Sequence, residues 1–273
     1  MIKSIGLNVL YSENKITIPS NQNGRLIFSW KDVFSKDFTI EIADNSSVEI
    51  LELGEAKDNN FQLIVSKNSH VVYNIFSENE GYDSNKKITL LEGSHLVAGL
   101  ADFSYGKKNL HVDINLKEKN SYVEWHLASL SQNDDKKVYN VNIVHEVGFT
   151  KAIMNSYGVC KNESTLEFLG DAIIKKNAKK ASTKQNAKIM VFDKKCHAKA
   201  SPKLCIYEND VEASHGASEG QINPDHIYYL MTRGIPEEEA KKLITLGYLN
   251  PITSYFFDEK IKEDIRNSII KEI

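Results

Sequence analysis

Arginine is scarce in this sequence, since only Arg25, Arg233 and Arg266 occur. Basic and acidic residues nearly balance, with 34 Lys+Arg against 37 Asp+Glu and a formal net charge of -3. Surfaces that bind nucleic acid or anionic membranes carry an excess of positive charge, and phosphate readers favour the bidentate guanidinium group. We therefore expect neither nucleic acid nor a membrane as a partner.

Long apolar runs and paired cysteines are also missing. The first residues, MIKSIGLNVLYSENK, lack the apolar stretch of a signal peptide, and no run of about 18 apolar residues could span a bilayer. The three cysteines, Cys160, Cys196 and Cys205, form no CxxC pair, and their odd count suits a reducing compartment. The sequence thus predicts a soluble cytoplasmic protein without a disulfide framework or a zinc site built from these cysteines alone.

Short alternating runs of apolar and polar residues dominate the chain from Lys15 to about Ile206. They include KITIPS, RLIFSW, FTIEIAD, FQLIVSKNS, YVEWHLASL and AKIMVFDKK, and alternation with a period of two predicts strands. Four phrases share an apolar stretch, a polar turn with Ser or Gly, and a second apolar stretch: IADNSSVEILEL, VSKNSHVVYNIF, LLEGSHLVAGL and LKEKNSYVEWHL. The recurrence favours a mainly β fold of the solenoid type over a β-sandwich or barrel.

The pattern becomes helical at Asn223. Asn223 can cap a helix that has Pro224 at its first position and stops at Gly234. A second helix is predicted from Pro236 to Gly247, with Ala240, Leu243, Ile244 and Leu246 on one side, and a third from Asp258, with Ile261, Ile265, Ile269 and Ile273 four residues apart. We divide the chain into an N-terminal segment 1–14, a β-helix core 15–210 and a C-terminal helical domain 211–273.

The helical domain carries more apolar residues than one short hairpin can bury. One interpretation is that it covers the end of the solenoid as a cap, and another is that it offers a surface to a partner. We expect both, with one face docked and another free. The candidate partner-binding residues are Tyr228, Tyr229, Met231, Arg233, Leu243, Leu246 and Tyr248.

His215 is the candidate site residue among the eight histidines. It lies in the segment Ser214–Ser218, SHGAS, where small neighbours allow another backbone or subunit to approach closely. A structural role in a tight corner is an equally good interpretation from the residues alone. His70, His95, His111 and His126 are expected to be structural. Joint ligation by Cys196 and His197 is not expected, because adjacent strand residues face opposite ways.

The phosphate-binding motif GxxxxGK[ST] and the metalloprotease motif HExxH do not occur. At ASHGASEGQI and IYYLMTRGIPEEEAKKLITLGYLNP the sequence resembles the SufB/SufD family of SUF-type iron–sulfur cluster assembly. The resemblance extends from about Val144 to Pro251 and includes Gly158, Phe168, Gly170, Gln185 and Asn186. Gly216 and Asn186 are more typical of SufD than of SufB.

The resemblance implies a right-handed parallel β-helix followed by a helical domain, and a scaffold without enzymatic activity. It also implies pairing with a SufB-like subunit and docking of a SufC-type ABC ATPase on the C-terminal helices. No cofactor is expected to bind tightly to the isolated chain, but a transient iron–sulfur cluster is expected in the complex, with His215 as a candidate ligand at the subunit interface. The alternatives are a SufB-like homodimeric cluster carrier and a β-solenoid interaction protein without a metal role.

Overall fold

The computed structural model describes residues 2–33, 35–54 and 58–271. Strands occupy most of this part of the chain, and helices follow at its C-terminal end. The strands are β1 (Lys3–Ile5), β2 (Leu10–Ser12), β3 (Lys15–Ile18), β4 (Asn23–Ser29), β5 (Asp37–Ile42), β6 (Ser47–Leu53), β7 (Asn59–Val65), β8 (His70–Ser77), β9 (Asp83–Leu90), β10 (His95–Asp102), β11 (Lys107–Leu116), β12 (Tyr122–Ser131), β13 (Lys136–His145), β14 (Lys151–Cys160), β15 (Thr165–Ile174), β16 (Ser182–Val191), β17 (His197–Ile206) and β18 (Glu212–Gln221). The helices are α1 (Pro224–Thr232), α2 (Glu237–Leu249) and α3 (Glu259–Lys271), and two 3₁₀ turns span Trp30–Asp32 and Asn250–Tyr255.

The strands form two sheets that alternate along the chain. Sheet A has the order β1-β4-β6-β8-β10-β12-β14-β16-β18, and sheet B has the order β17-β15-β13-β11-β9-β7-β5-β3-β2. From β3 onwards each strand pairs in parallel with the strand two positions further along. Among the described strands, only the pairs β1 with β4 and β2 with β3 are antiparallel. This is a β-solenoid, as predicted, and not a sandwich of two antiparallel sheets.

The corners of the solenoid explain the four repeated phrases. Each phrase places a residue with positive φ before a buried serine, in the pairs Asn45-Ser46, Asn68-Ser69, Gly93-Ser94 and Asn120-Ser121. Asparagine and glycine tolerate the left-handed conformation that the corner needs. The serine hydroxyl then bonds a backbone carbonyl of its own corner, as when Ser94 Oγ donates to Leu91 O over 2.6 Å. The repeat is therefore a repeated corner, stacked from coil to coil.

The core lies between the two sheets, where every second side chain of a strand points. In β11, for example, Leu110, Val112, Ile114 and Leu116 are buried and alternate with more exposed residues. The N-terminal segment 1–14 contains β1 and β2, so strands begin before the predicted start of the core at residue 15. Strand β18 lies within the predicted helical domain 211–273. Strands therefore extend to Gln221, because Glu212–Gln221 finds a parallel partner in β16.

The helices α1 to α3, residues 224–271, form what we call the helical tail. The tail begins as predicted, but its second helix continues beyond the predicted end. Asn223 caps α1, and its side chain accepts a hydrogen bond from Asp225 N over 2.9 Å. Helix α2 runs through Gly247 to Leu249, so the predicted stop is wrong. Leu249 is buried against the body, and burial of a leucine outweighs the cost of about 1 kcal/mol for a glycine inside a helix.

The tail packs against the outer face of sheet A and not, as one interpretation had it, over the end of the solenoid. Ile252, Phe256, Ile261, Ile265 and Ile269 share a buried cluster with outward-facing residues of sheet A, namely Leu51, Phe76, Ala101, Phe103, Ala128, Leu130 and Val159. Ile273 lies outside the described residues. An apolar outer face needs a cover, and the tail supplies it in the middle of the sheet. The last coil stays uncovered by the tail.

Candidate functional site at the open end of the solenoid

The C-terminal end of the strand stack is open within the described residues. Strand β18 pairs only with β16, and β17 pairs only with β15, so each is the edge of its sheet. Nine of the ten residues of β18 are exposed, and β17 contains no buried residue. An edge strand of this length presents unpaired backbone N–H and C=O groups, which favour the addition of a further strand.

His215 continues a column of interior side chains to this open end. In register across sheet A, Trp125 lies beside Met154, Met154 beside Gln185, and Gln185 beside His215. Trp125, Met154 and Gln185 are all buried, whereas His215 is exposed. Because residues two apart in a strand share a face, Ala213, which packs against buried Ile174 and Ala181, confirms the inward direction. His215 is thus an interior residue that no further coil covers.

The side chains around His215 are either small or held by hydrogen bonds. Ala217 shares its face of β18, and Glu219 on the same face accepts a hydrogen bond from Ala200 N of β17. Beneath His215, the Gln185 amide, oriented to match its neighbours, donates to Lys203 O over 3.2 Å and accepts from Ala172 N over 3.3 Å. The Gln185 amide beneath His215 is therefore held by a hydrogen bond on each side, and no further strand of the described part of the chain pairs with β18 beyond the imidazole.

His215 cannot hold a metal centre with ligands of this chain alone. No group of three or more His, Cys, Asp or Glu side chains suited to a metal ion occurs among the described residues. Iron–sulfur clusters are held by several ligands, mostly cysteine thiolates with occasional histidine. Further ligands for any cluster at His215 would have to come from another chain.

A second exposed region lies on helices α1 and α2. Tyr228, Tyr229, Met231 and Leu243 have 70%, 57%, 45% and 49% of their surface exposed, and the Arg233 guanidinium lies 5.3 Å from the centre of the Tyr229 ring. Helix α1 has no buried residue. Leu246 and Tyr248 differ from the other candidates, because both pack into the cluster between the tail and sheet A. The free surface, which we call the tail patch, consists of Tyr228, Tyr229, Met231, Arg233 and Leu243.

The structure brings together two cysteines whose meeting the sequence did not predict. The Cys160 thiol donates to Ser164 O over 3.4 Å, and the Cys196 thiol donates to Asn162 O over 3.6 Å, so both contact one turn. Burial raises the pKa of Cys160 to about 12. His197 faces away from this pair and lies 3.4 Å from Glu167 Oε1, as expected for adjacent strand residues. Cys160 and Cys196 are far apart in the sequence, so no sequence pattern indicated that they would meet.

Several residues that carry the family resemblance have packing roles. An added Cβ at Gly170 would lie 2.1 Å from Val141 O, and one at Gly158 would lie 2.5 Å from Leu166 Cδ2. Position 170 therefore needs glycine, because the close atom belongs to the backbone of β13, whereas a side chain at position 158 would have to displace the side chains of Leu166 and Phe168. His126, predicted to be structural, is buried, bonds Glu124 and stacks on Tyr255 with ring centres 3.5 Å apart.

The described residues thus form a parallel β-solenoid with an exposed histidine on its last strand and a helical tail on one of its two sheets. Residues 28–248 match the family described as "SUF system FeS cluster assembly, SufBD core domain". The chain belongs to this family, and its relatives include proteins named SufD.

Three curated relatives illustrate the similarity. The chain is 30% identical to the iron–sulfur cluster assembly protein SufD of Bacillus subtilis over 159 residues, 58% of this chain and 36% of the relative. It is 26% identical to SufD of Escherichia coli over 121 residues, 44% of this chain and 29% of the relative. It is also 22% identical to a SufBD family protein of Staphylococcus epidermidis over 204 residues, 70% of this chain and 42% of the relative. The chain thus spans less than half the length of each relative.

None of the described helices is long and apolar enough to cross a membrane.

Proposed function

We propose that this protein is a SufD-like scaffold subunit that pairs with a SufB-like subunit through the open end of its solenoid. The observation that carries the proposal is the position of His215, an interior residue left exposed at the last coil. A partner that adds strands beyond β17 and β18 would bury this imidazole and would pair with the backbone N–H and C=O groups of the two edge strands. The free thiols Cys160, Cys196 and Cys205 suit work in the reducing cytoplasm.

The cargo in this proposal is a nascent iron–sulfur cluster held between the two subunits. A histidine imidazole can bind iron through a ring nitrogen. The partner would supply cysteine thiolates for the remaining positions. The role of this chain is to position one ligand and to shield the site, so we class it as a scaffold and not as an enzyme.

The tail patch is the proposed docking surface for a SufC-type ABC ATPase. Tyrosine, methionine and arginine are the residue types enriched in the centres of protein interfaces, and here they lie on α1 and at its C-terminal end, while Leu243 lies on the adjoining helix α2. ATP hydrolysis is assigned to the partner, because the sequence contains no GxxxxGK[ST] phosphate-binding loop.

The cluster role is tested by His215→Ala in the reconstituted complex. The variant should keep the fold, the partner subunit and the ATPase, but lose cluster formation, measured as iron and sulfide content and visible absorbance. His111→Ala on the outer face of sheet B is the matched control, and it should accumulate cluster like the wild type. Normal cluster content in His215→Ala would show that the histidine is structural.

The docking role is tested on the full chain, because removing residues 223–273 would uncover the apolar outer face of sheet A. The double change Tyr228→Ala and Tyr229→Ala should weaken ATPase binding in calorimetry by about tenfold or more, since exposed aromatic residues that become buried dominate interface energies. Tyr105→Ala, which removes an exposed tyrosine far from the tail patch in the chain, is the control. Unchanged affinity of the double variant would place the ATPase elsewhere.

A further inference from the structure

A row of polar and small residues crosses the outer face of sheet A in strict register. It contains Asn74, Gly99, His126, Asn155, Asn186 and Gly216, one from each of the strands β8, β10, β12, β14, β16 and β18. We call these residues the outer row. One end lies under the helical tail, and the other end lies next to His215 on the open edge.

The tail holds the first half of the outer row in place. Asn74 Nδ2 donates to Tyr255 O over 2.8 Å, and Asn74 Oδ1 accepts from Phe257 N over 3.1 Å. The Tyr255 ring stacks on His126 with an interplanar angle of 12°. His126 is 3% exposed, so its ring has little freedom to turn.

The hydrogen bonds of the outer row run in one direction. His126 Nε2 lies 2.8 Å from Glu124 Oε2, a carboxylate oxygen that can only accept, so Nε2 carries the proton. Burial lowers the pKa of His126 despite Glu124, and the ring is neutral. Its Nδ1 then accepts from Asn155 Nδ2 over 3.3 Å, and Asn155 Oδ1 accepts from Asn186 Nδ2 over 2.9 Å.

This direction leaves the Asn186 carbonyl oxygen pointing onward to β18. No donor from the described part of the chain reaches Asn186 Oδ1, and the residue beside it in register is Gly216. A Cβ at position 216 would lie 3.4 Å from this oxygen, so the missing side chain is what leaves it uncovered. Asn186 is partly exposed.

We propose that Asn186 is a specificity-determining residue of the open end, where its oriented Oδ1 accepts a hydrogen bond from a donor on the subunit that covers β18. This inference rests on the proposed function for the existence of that subunit. An amide turned the other way would offer a donor and would select a different partner surface. The hydrogen bonds from Glu124 through His126 and Asn155 fix the orientation of the Asn186 amide in the unbound chain. This preorganisation lowers the entropic cost of binding.

The test compares two substitutions at one position in the full chain, with affinity for the SufB-like subunit measured by calorimetry. Asn186→Leu removes the acceptor while keeping a similar shape and should weaken binding about tenfold, the loss expected for one unpaired hydrogen-bonding group at an interface. Asn186→Asp loses the donor to Asn155 Oδ1, but both of its carboxylate oxygens accept, so an acceptor faces the edge in either orientation and affinity should be retained to within about threefold. Asn140→Leu, an outward asparagine in the middle of β13, is the matched control and should bind like the wild type. Thermal melting of each variant establishes that it is folded.

A third variant tests the direction of the row. His126→Phe keeps the stack on Tyr255 but removes the acceptor for Asn155, so it should also weaken binding although residue 126 lies three strands from the edge. If Asn186→Leu binds the SufB-like subunit as tightly as the wild type does, the role of Asn186 is refuted while the proposed pairing stands. The same conclusion follows if Asn186→Leu and Asn186→Asp lose affinity equally. Failure of the wild type to bind a SufB-like subunit at all would overturn the proposed pairing together with it.

Discussion

Asp102 and Lys137 face each other inside the solenoid, with 3.6 Å between Asp102 Oδ1 and Lys137 Nζ and neither side chain exposed to solvent. Lys108 bonds the same carboxylate, and Lys137 Nζ also donates to Leu130 O over 2.6 Å. Burial opposes ionisation of Asp102, but Lys108 and Lys137 outweigh it and hold its pKa well below the usual range. The carboxylate therefore stabilises the fold above its unfolded pKa of about 4, and this contribution is lost as the pH falls below it.

Replacing Asp102 should destabilise the fold strongly at neutral pH. Asp102→Ala leaves two buried cations without this carboxylate, and removing one partner of a buried ion pair costs about 3–5 kcal/mol. Urea unfolding at pH 7 measures the loss. The control is Asp210→Ala, which breaks the exposed pair with Lys180 and should leave the unfolding midpoint unchanged. Similar midpoints for both variants would contradict a structural role for the buried cluster.

His145 should make the stability depend on pH between about 4 and 6.5. Its Nδ1 bonds Thr150 Oγ1 over 2.7 Å, Thr150 Oγ1 in turn donates to Val147 O, and His145 Nε2 has no protein partner among the described residues. Burial lowers the pKa of His145 to about 4. The folded state thus binds fewer protons than the unfolded state in this range, and the free energy of unfolding falls as the pH decreases from 6.5.

The measurement is urea unfolding at pH 7 and pH 5. His145 alone should account for about 2 kcal/mol of the loss between them, given an unfolded pKa of about 6.5. His145→Asn, whose amide replaces the donor to Thr150, should remove that part of the loss. The control His111→Asn replaces a half-exposed histidine and should still show the full loss of stability between pH 7 and pH 5. An identical pH dependence in wild type and His145→Asn would refute the assignment.

Asn74 should hold the tail on sheet A. Asn74→Ala leaves the Tyr255 carbonyl and the Phe257 N–H without their partner, at a cost of about 1–3 kcal/mol for each unsatisfied buried group. We expect faster hydrogen exchange in residues 250–257 with little change in the strands of sheet B. Asn85→Ala, which removes one exposed bond to Asn60, is the control. Equal exchange in residues 250–257 of both variants would argue against this anchor.

Cys160 should resist alkylation in the folded protein. A thiol with a pKa of about 12 is ionised in only about one molecule in 10⁴ at pH 8, and the Cys160 side chain is buried. Mass spectrometry after brief iodoacetamide treatment should find Cys160 unmodified in the native protein and modified in urea. Cys196 and Cys205, which are partly exposed, provide the internal comparison. Modification of Cys160 at the rate of Cys205 would show that the turn at residues 161–164 opens readily.

The solenoid and the start of the helical tail could be predicted from the amino-acid sequence. Both follow from local chemistry, because asparagine or glycine before serine makes one corner of a coil and Asn223 with Pro224 begins a helix. Alternation also placed the inward and outward faces of each strand. His215 was singled out by its small neighbours and by family resemblance, but its membership of an interior column could not be read without the strand register.

The position of the tail, and the surface that it leaves uncovered, depend on contacts between residues that are distant in sequence. The stop predicted at Gly247 failed because the helix continues into Leu249, whose burial on sheet A is a contact distant in sequence. The same holds for Asn74 beneath Tyr255 and for Cys160 beside Cys196, pairs whose meeting depends on how many residues each coil contains. Coil length sets which residues fall in register, and a change of one residue would move every later side chain to the opposite face. The open end with His215 is thus a product of register and of a tail that packs elsewhere.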